Sequence, residues 1–493
     1  MAGIANGSDW APRQEQETRL CWLDDRLADA TIDERIERAA LLAALHRDAE
    51  AQQAFVDILL QTPAHLGALI AFGNFLTAKG YISAACRVYE EAATQHPQDP
   101  IGHVNLANLL LRGNDLSRAR QRFETALLLA PEHPEAHQGL GAVLSECGED
   151  RAAQHHFRKG FTGHAVSTRP YRGTKPPLPL LLLVSSGGGN IPTDSFLDDR
   201  IFMSSVIVAD FLDPSSPLPL HGVVFNAIGD ADRCAPALAS AARLIKRTRA
   251  PVINRPAAVI KTGRSANAER LCTVPGVIAP RTVSLPRAVL AAPDAPAALA
   301  RQGFSFPLLL RSPGFHTGRN FEKVTTADEL PAALAAIPGD TLLVIEFLDA
   351  RGADGNARKY RVMLIDGRIY PLHLAISQDW KVHYFTSAMK DRPDYREEEA
   401  AFLANMPGVL GPRVMAALER IARALELDYG GVDFGISADG KLLLFEANAT
   451  MVVMKPEPDA RWAHRHAAVD RILGAVQGMI SARAAAGAAR QVA

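Results

Sequence analysis

Two acidic residues and an asparagine late in the chain carry the first chemical signal. Residues 432–437 and 442–445 read as strands flanking Ala438-Asp439-Gly440-Lys441, and Asp-Gly between alternating strands is a strong hairpin signal. A two-residue loop at Asp439-Gly440 predicts that Val432 faces Ala447, Phe434 faces Phe445 and Ile436 faces Leu443, all on an apolar face. On the opposite face Asp433 lies across from Glu446, with Asn448 two residues further along. Opposed carboxylates destabilise a sheet unless a cation sits between them. Magnesium suits that position, since it takes oxygen ligands and binds through one or two carboxylates plus substrate phosphates. A solvated acidic face is the plain alternative for these residues taken alone.

Other polar clusters stand where strands end. Gly187-Gly188-Gly189 follows the apolar run 180–184, the end of an α/β strand where ligands bind, although a flexible connector has the same composition. Asp230 and Asp232 hold a similar position and either bind an amine or cap a helix. His373 and Ser377, followed by Trp380, Lys381, His383 and Tyr384, form a dense polar and aromatic stretch. There His373, Lys381 and His383 suit a carboxylate or phosphoryl group, while Trp380 and Tyr384 suit an organic body. Histidines satisfied within the sheet and Trp380 in the core are the structural alternative.

The elements that must position these residues alternate. From 178, a strand, a helix-like stretch from Phe196 to Phe211, a strand at 222–227, a helix at 235–247 and Pro251-Val252-Ile253-Asn254 indicate a small α/β domain with a parallel sheet. Strand-like runs then recur at 307–311, 341–347, 360–365, 368–373, 432–436 and 442–445, with Ile365-Asp366-Gly367-Arg368 as a tight turn, which predicts α+β structure. Upstream, Pro63, Pro97 and Pro131 repeat at a spacing of 34 residues. Ala51, Ala85, Ala119 and Ala153 share a column, as do Phe55, Tyr89, Phe123 and Phe157, and Gly73, Ala107 and Gly141. Small residues where helices approach, an aromatic filling the groove and a closing proline resemble the tetratricopeptide repeat, over about residues 32–165. That resemblance implies stacked helical hairpins with a concave groove for a peptide or protein.

Asp433, Glu446 and Asn448, in Phe445-Glu446-Ala447-Asn448, resemble the metal-binding segment of ATP-grasp ligases, the group that includes D-alanine:D-alanine ligase and glutathione synthetase. The likeness spans residues 178–475 and implies ATP with two magnesium ions, Glu446 bridging them and Asp433 and Asn448 each completing one coordination sphere. Phe306-Pro307-Leu308-Leu309-Leu310-Arg311 resembles the strand whose last basic residue contacts phosphate. Gly314-Phe315-His316-Thr317-Gly318 resembles the glycine loop over the phosphates, so that His316, Thr317 and Gly318 join Arg264 and Arg311 as nucleotide contacts. Glu346, Phe347 and Leu348 resemble the hinge that pairs with adenine and holds the ribose, and Arg361 the arginine on the phosphate or acyl-phosphate side. Arg311 and Arg361 are thereby the candidate catalytic residues, and Gly188, Gly189, His373, Ser377, Lys381 and His383 the candidate substrate contacts. Where the family usually carries two lysines, this chain has Arg264 and Arg311, which keep the charge and add bidentate geometry toward phosphate.

The expected organisation is multidomain: an N-terminal segment (1–31), an all-α tetratricopeptide solenoid (32–166), a linker (167–177), an α/β pre-ATP-grasp domain (178–262), an α+β ATP-grasp domain (263–480) and a C-terminal tail (481–493). The implied activity is ATP-dependent ligation of a carboxylate to an amine through an acyl-phosphate, on an amino-acid or peptide substrate recruited by the repeats. The alternatives are an ATP-dependent phosphotransferase and a catalytically degenerate scaffold that binds peptides or proteins. Lys plus Arg total 53 against 54 Asp plus Glu, which gives no basic surplus for nucleic acid. No apolar run reaches the roughly 20 residues of a membrane span. Five scattered cysteines without a CxxC pair read as buried thiols of a reducing compartment, and the expected location is the cytoplasm.

Overall fold

The computed structural model describes residues 13–313, 320–382 and 387–492, and its contacts divide the chain into two units. The first unit runs to Pro179 and takes in Ser186–Gly188 and Asp199–Pro219. The second comprises Leu180–Ser185, Gly189–Asp198 and everything from Leu220.

Helices fill most of the first unit: α1 (Arg13–Asp25), α2 (Ile32–Ala44), α3 (Asp48–Gln61), α4 (Leu66–Ala78), α5 (Ile82–Gln95), α6 (Pro100–Arg112), α7 (Leu116–Leu129), α8 (Pro134–Glu146) and α9 (Asp150–Phe161). From α2 onward they pair as successive hairpins. Thr31 and Glu34 form a capping box at α2, and Asp99 and Asp115 cap α6 and α7 with their carboxylates. The repeat columns are the core. Ala51, Ala85, Ala119 and Ala153 are fully buried, and so are the four aromatics that follow them. A Cβ placed on Gly73 would overlap the Tyr89 ring, and one on Gly141 would overlap Phe157, so glycine is what lets each aromatic seat.

After the helices, β1 (Val166–Thr168) pairs antiparallel with β3 (Phe202–Val208), Val166 opposite Ile207. The helix expected over 196–211 is therefore replaced by a strand. Ser204, Ser205, Val206, Ile207 and Val208 lose more in a helix than in an extended ladder, because serine competes for backbone hydrogen bonds and β-branched side chains crowd the preceding turn. The expected linker at 167–177 likewise begins inside β1.

Strand β2 (Leu178–Val184) leads into the second unit, where it runs parallel to β4 (Val223–Asn226), and β4 to β5 (Val252–Ile253). Their continuous apolar sequence matches burial on both faces. The helix α10 (Ala235–Leu244) follows β4, and α11 (Pro256–Val259) and α12 (Arg264–Leu271) follow β5. A four-stranded antiparallel sheet orders β7 (Thr282–Pro286), β10 (Thr341–Glu346), β8 (Leu308–Arg311) and β9 (Phe321–Val324). A five-stranded sheet orders β12 (Arg368–Ser377), β11 (Ala357–Ile365), β13 (Tyr429–Ile436), β14 (Leu442–Asn448) and the parallel edge strand β6 (Val277–Ile278). Asp366 and Gly367, both at positive φ, make the tight turn between β11 and β12.

The β13–β14 hairpin departs from the expected register. Ser437 N–H donates to Lys441 O across Ala438-Asp439-Gly440, with Gly440 at φ 76°, so the loop has three residues, and Ile436 faces Leu442 while Phe434 faces Leu444. A bulge then inserts Phe445, which is 36% exposed rather than buried against Phe434, and beyond it Asp433 faces Glu446 and Val432 faces Ala447 as expected.

The final helix, Ala463–Val492, runs through the stretch expected as a tail. Among the described residues no single helix is long and apolar enough to cross a membrane. Cys21, Cys147 and Cys272 are exposed, Cys86 is half-buried and only Cys234 is buried, against the expectation of buried thiols; Cys147 and Cys272 sit at helix C-caps, where side chains turn outward.

Candidate active site

The site grows out of one cross-strand row of the five-stranded sheet. His373 on β12 faces Arg361 on β11, Arg361 faces Asp433 on β13, and Asp433 faces Glu446 on β14. Residues opposite one another in neighbouring strands share a face, so this pairing sets a cation, two carboxylates and an imidazole in one line. Lys359, two residues before Arg361, joins the same face. Arg361 grips Asp433 with both prongs, Nε to Oδ1 at 2.5 Å and Nη2 to Oδ2 at 2.7 Å, and Lys359 Nζ stands 3.4 Å from Oδ2. Asp433 is 3% exposed.

Glu446 is held from the other side by α12. Arg264 opens that helix and Asn267 lies one turn on, so both present to β14. Arg264 Nη2 donates to Glu446 Oε1 at 2.8 Å, and Asn267 Nδ2 donates to Ala447 O at 2.5 Å. Asn448 Nδ2 adds a 2.9 Å bond to the same Oε1, while its own Oδ1 accepts from Thr450 N–H and Oγ1. Asp232 accepts the Arg264 backbone N–H and stands 3.6 Å from its guanidinium. Asp230 caps the turn before α10 by accepting the N–H groups of Asp232 and Arg233, which is the bland reading of that pair.

Burial pushes the Glu446 carboxyl up, but Arg264 and Arg311 outweigh it and hold the group below the ordinary carboxylate range. Asp433 is likewise raised by burial and brought far lower by Arg361 and Lys359. Burial and the neighbouring Arg264 charge push Arg311 down to about 10. Burial beside Arg361 keeps His373 neutral, well below its usual value.

A cleft of about 260 Å³ brings most of the expected residues together. Arg264, Arg311, Glu346, Phe347, Leu348, Arg361, Lys381, Asp433, Glu446 and Asn448 all line it. Ile345, Phe347, Leu348, Leu309 and Leu444 supply an apolar wall beside them. Trp380 stands edge-on to Phe321 and Phe347 at 5.5 and 6.2 Å, and Lys381 Nζ donates to Phe321 O at 3.0 Å. The Glu346 carboxylate accepts the Arg281 backbone N–H through Oε2 at 3.0 Å, at the residue just before β7. Asp349 on the cleft wall, like Lys359, escaped the sequence reading, although the two-residue spacing from Lys359 to Arg361 on one strand was a usable signal.

His373 and Ser377 are buried in β12 and do not line the cleft, and Ser377 Oγ accepts from Asp379 N–H. Gly188 and Gly189 are turn glycines at positive φ; a Cβ on Gly189 would strike Cys234 and Asp230. His316, Thr317, Gly318 and His383 lie outside the described residues.

The two carboxylates fit magnesium in kind, as oxygen ligands on adjacent strands, while the Asn448 carbonyl is turned to Thr450 and its amide nitrogen to Glu446. Glu446 Oε2 accepts no hydrogen bond among the described residues. The opposed carboxylates do not demand a metal, because guanidinium groups already compensate them.

A tetratricopeptide repeat family model matches residues 76–144. Residues 76–144 are a tetratricopeptide repeat region. Among solved structures the chain is similar to residues 41–end of MamA from Desulfovibrio magneticus RS-1, at 23% identity over 30% of this chain and 85% of that one, with a TM-score of 0.27. It is similar also to a thermophilic tetratricopeptide repeat protein of Thermus thermophilus, at 17% identity over 30% and 82% of the two chains, with a TM-score of 0.26. No curated protein matches the chain.

Proposed function

We propose that the second unit is an ATP-dependent carboxylate–amine ligase of the ATP-grasp kind, and that the repeats recruit the peptide or protein on which it acts. The observation that carries this reading is convergence: a hinge-like strand end (346–348), three arginines and the Asp433, Glu446, Asn448 set come from segments scattered over 264–448 and meet in one cleft.

In this reading the apolar wall of Phe347, Leu348 and Leu444 takes the base, and the Glu346 carboxylate the ribose hydroxyls. Arg264, Arg311, Lys359 and Arg361 take the phosphates, where charge-assisted and bidentate hydrogen bonds orient the terminal phosphoryl group. A substrate carboxylate oxygen attacks that phosphorus and ADP leaves; an amine then attacks the acyl carbon, phosphate leaves, and the amine proton passes to solvent. The arginines act by neutralising charge as it shifts between oxygens, so no enzyme nucleophile is needed. Magnesium held by Asp433, Glu446 and Asn448 would supply further neutralisation of phosphate charge.

The guanidinium pairing of both carboxylates favours a second reading, an anion-binding scaffold without turnover. Hydroxylamine trapping separates the two. With candidate carboxylates present, a ligase yields a hydroxamate with stoichiometric ADP; a scaffold yields neither, and a phosphotransferase yields ADP with a stable phosphorylated product.

A further inference from the structure

In the resting cleft the carboxylates of the cross-strand row already stand against cations. Arg361 and Lys359 pair with Asp433, and Arg264 pairs with Glu446 and Asp232. Arg361 engages both oxygens of Asp433, and Arg264 with Asn448 engages Oε1 of Glu446. A divalent ion approaching either carboxylate meets a guanidinium group already bonded to it, at both oxygens of Asp433 and at Oε1 of Glu446.

Resting on the ligase reading above, we infer that Arg264 and Arg361 are placeholder cations that keep divalent metal off Glu446 and Asp433 until polyphosphate draws them away. Phosphate oxygens take arginine bidentately as carboxylates do, and a triphosphate carries enough charge to engage both residues together. As the guanidinium groups turn to phosphate, each carboxylate loses its counter-ion in a buried setting, which strongly favours a replacement cation there. Metal and nucleotide then enter as a pair. Arginine at position 264 suits this task better than lysine, because its planar fork spans Glu446 and Asp232 at once.

The test is Mn²⁺ binding to the full chain, followed by the EPR signal of the free ion, with and without a non-hydrolysable ATP analogue. Wild type should bind Mn²⁺ without nucleotide at least about tenfold more weakly than Arg264→Gln, within the usual range of site–site coupling. Lys381→Gln, which removes the same charge from the cleft but no bond from a carboxylate, should bind like wild type. Arg264 is partly exposed, so its variant is expected to fold, and thermal melting checks this. Equal Mn²⁺ affinity in wild type and folded Arg264→Gln, or an equal gain in Lys381→Gln, overturns the inference while leaving nucleotide binding intact. Failure of the analogue to bind wild type with or without Mn²⁺ overturns the ligase reading and this inference with it.

Discussion

Asp433 is a buried carboxylate in the cross-strand row of the cleft. Its charge is tolerated because Arg361 satisfies both oxygens. Arg361→Ala leaves this buried charge with only Lys359, 3.4 Å from Oδ2, and should cost up to about 3–5 kcal/mol in the unfolding of the second unit, measured by urea denaturation. Replacing both partners with apolar residues, Arg361→Met with Asp433→Leu, should recover most of that loss; an equally large loss in the double variant would contradict it. At this scale the sequence was partly legible. Asp433 faces Glu446 as expected, but only because the bulge at Phe445 offsets a loop one residue longer than the expected one. The partners of those carboxylates were not legible, since Arg264 lies 182 residues from Glu446 and Arg361 lies 72 from Asp433. Magnesium was invoked for a charge problem that arginine also solves.

Helical hairpins and strands show the same division between local and distant information. The repeat columns were readable because Gly73 and Gly141 meet Tyr89 and Phe157 within their own hairpins. Gly73→Val should overpack Tyr89 and cost about 1–3 kcal/mol, read as a lowered thermal midpoint of the helical unit. Phe123→Ala, at the equivalent position of the next repeat, should cost about 3–5 kcal/mol through the cavity it leaves. The α8–α9 hairpin carries a pH dependence. His137 Nε2 bonds the Pro131 carbonyl at 2.9 Å, so it holds the proton, and Nδ1 is left to accept from His156 Nδ1 at 2.8 Å. Burial holds His103, His137 and His156 below the ordinary histidine value of about 6.5. The unfolded chain then binds more protons than the native one below that value, so stability is complete above it and declines as pH falls toward the native pKa values. The thermal midpoint should drop between pH 7.5 and 5.5, and His156→Gln should lessen the drop; an unchanged slope would contradict this. Strand β3 was misread as a helix because apolar spacing in 196–211 fits both periods, and the choice is made by its pairing with β1. The bulge at Phe445 was hidden for a similar reason, since an Asp-Gly loop of two or three residues leaves the same sequence signature.

Across the whole molecule, a repeat solenoid and an α/β unit share one chain whose charges nearly cancel. Fold class was readable because each architecture has its own periodicity: 34 residues for the helical hairpins, and strand–helix alternation beyond them. Ten of the candidate site residues singled out in the sequence line one cleft, while its ion pairs depended on how distant segments come together. The functional proposal stands or falls on nucleotide binding in this cleft, with metal held by the β13–β14 carboxylates. Calorimetric titration of a non-hydrolysable ATP analogue into wild type and Asp433→Asn/Glu446→Gln, with and without magnesium, addresses that point without intermediaries. The expected result is magnesium-dependent binding to wild type and loss of that dependence in the double variant with the fold intact. No binding to wild type under any condition, or unchanged magnesium dependence in the double variant, would contradict the proposal.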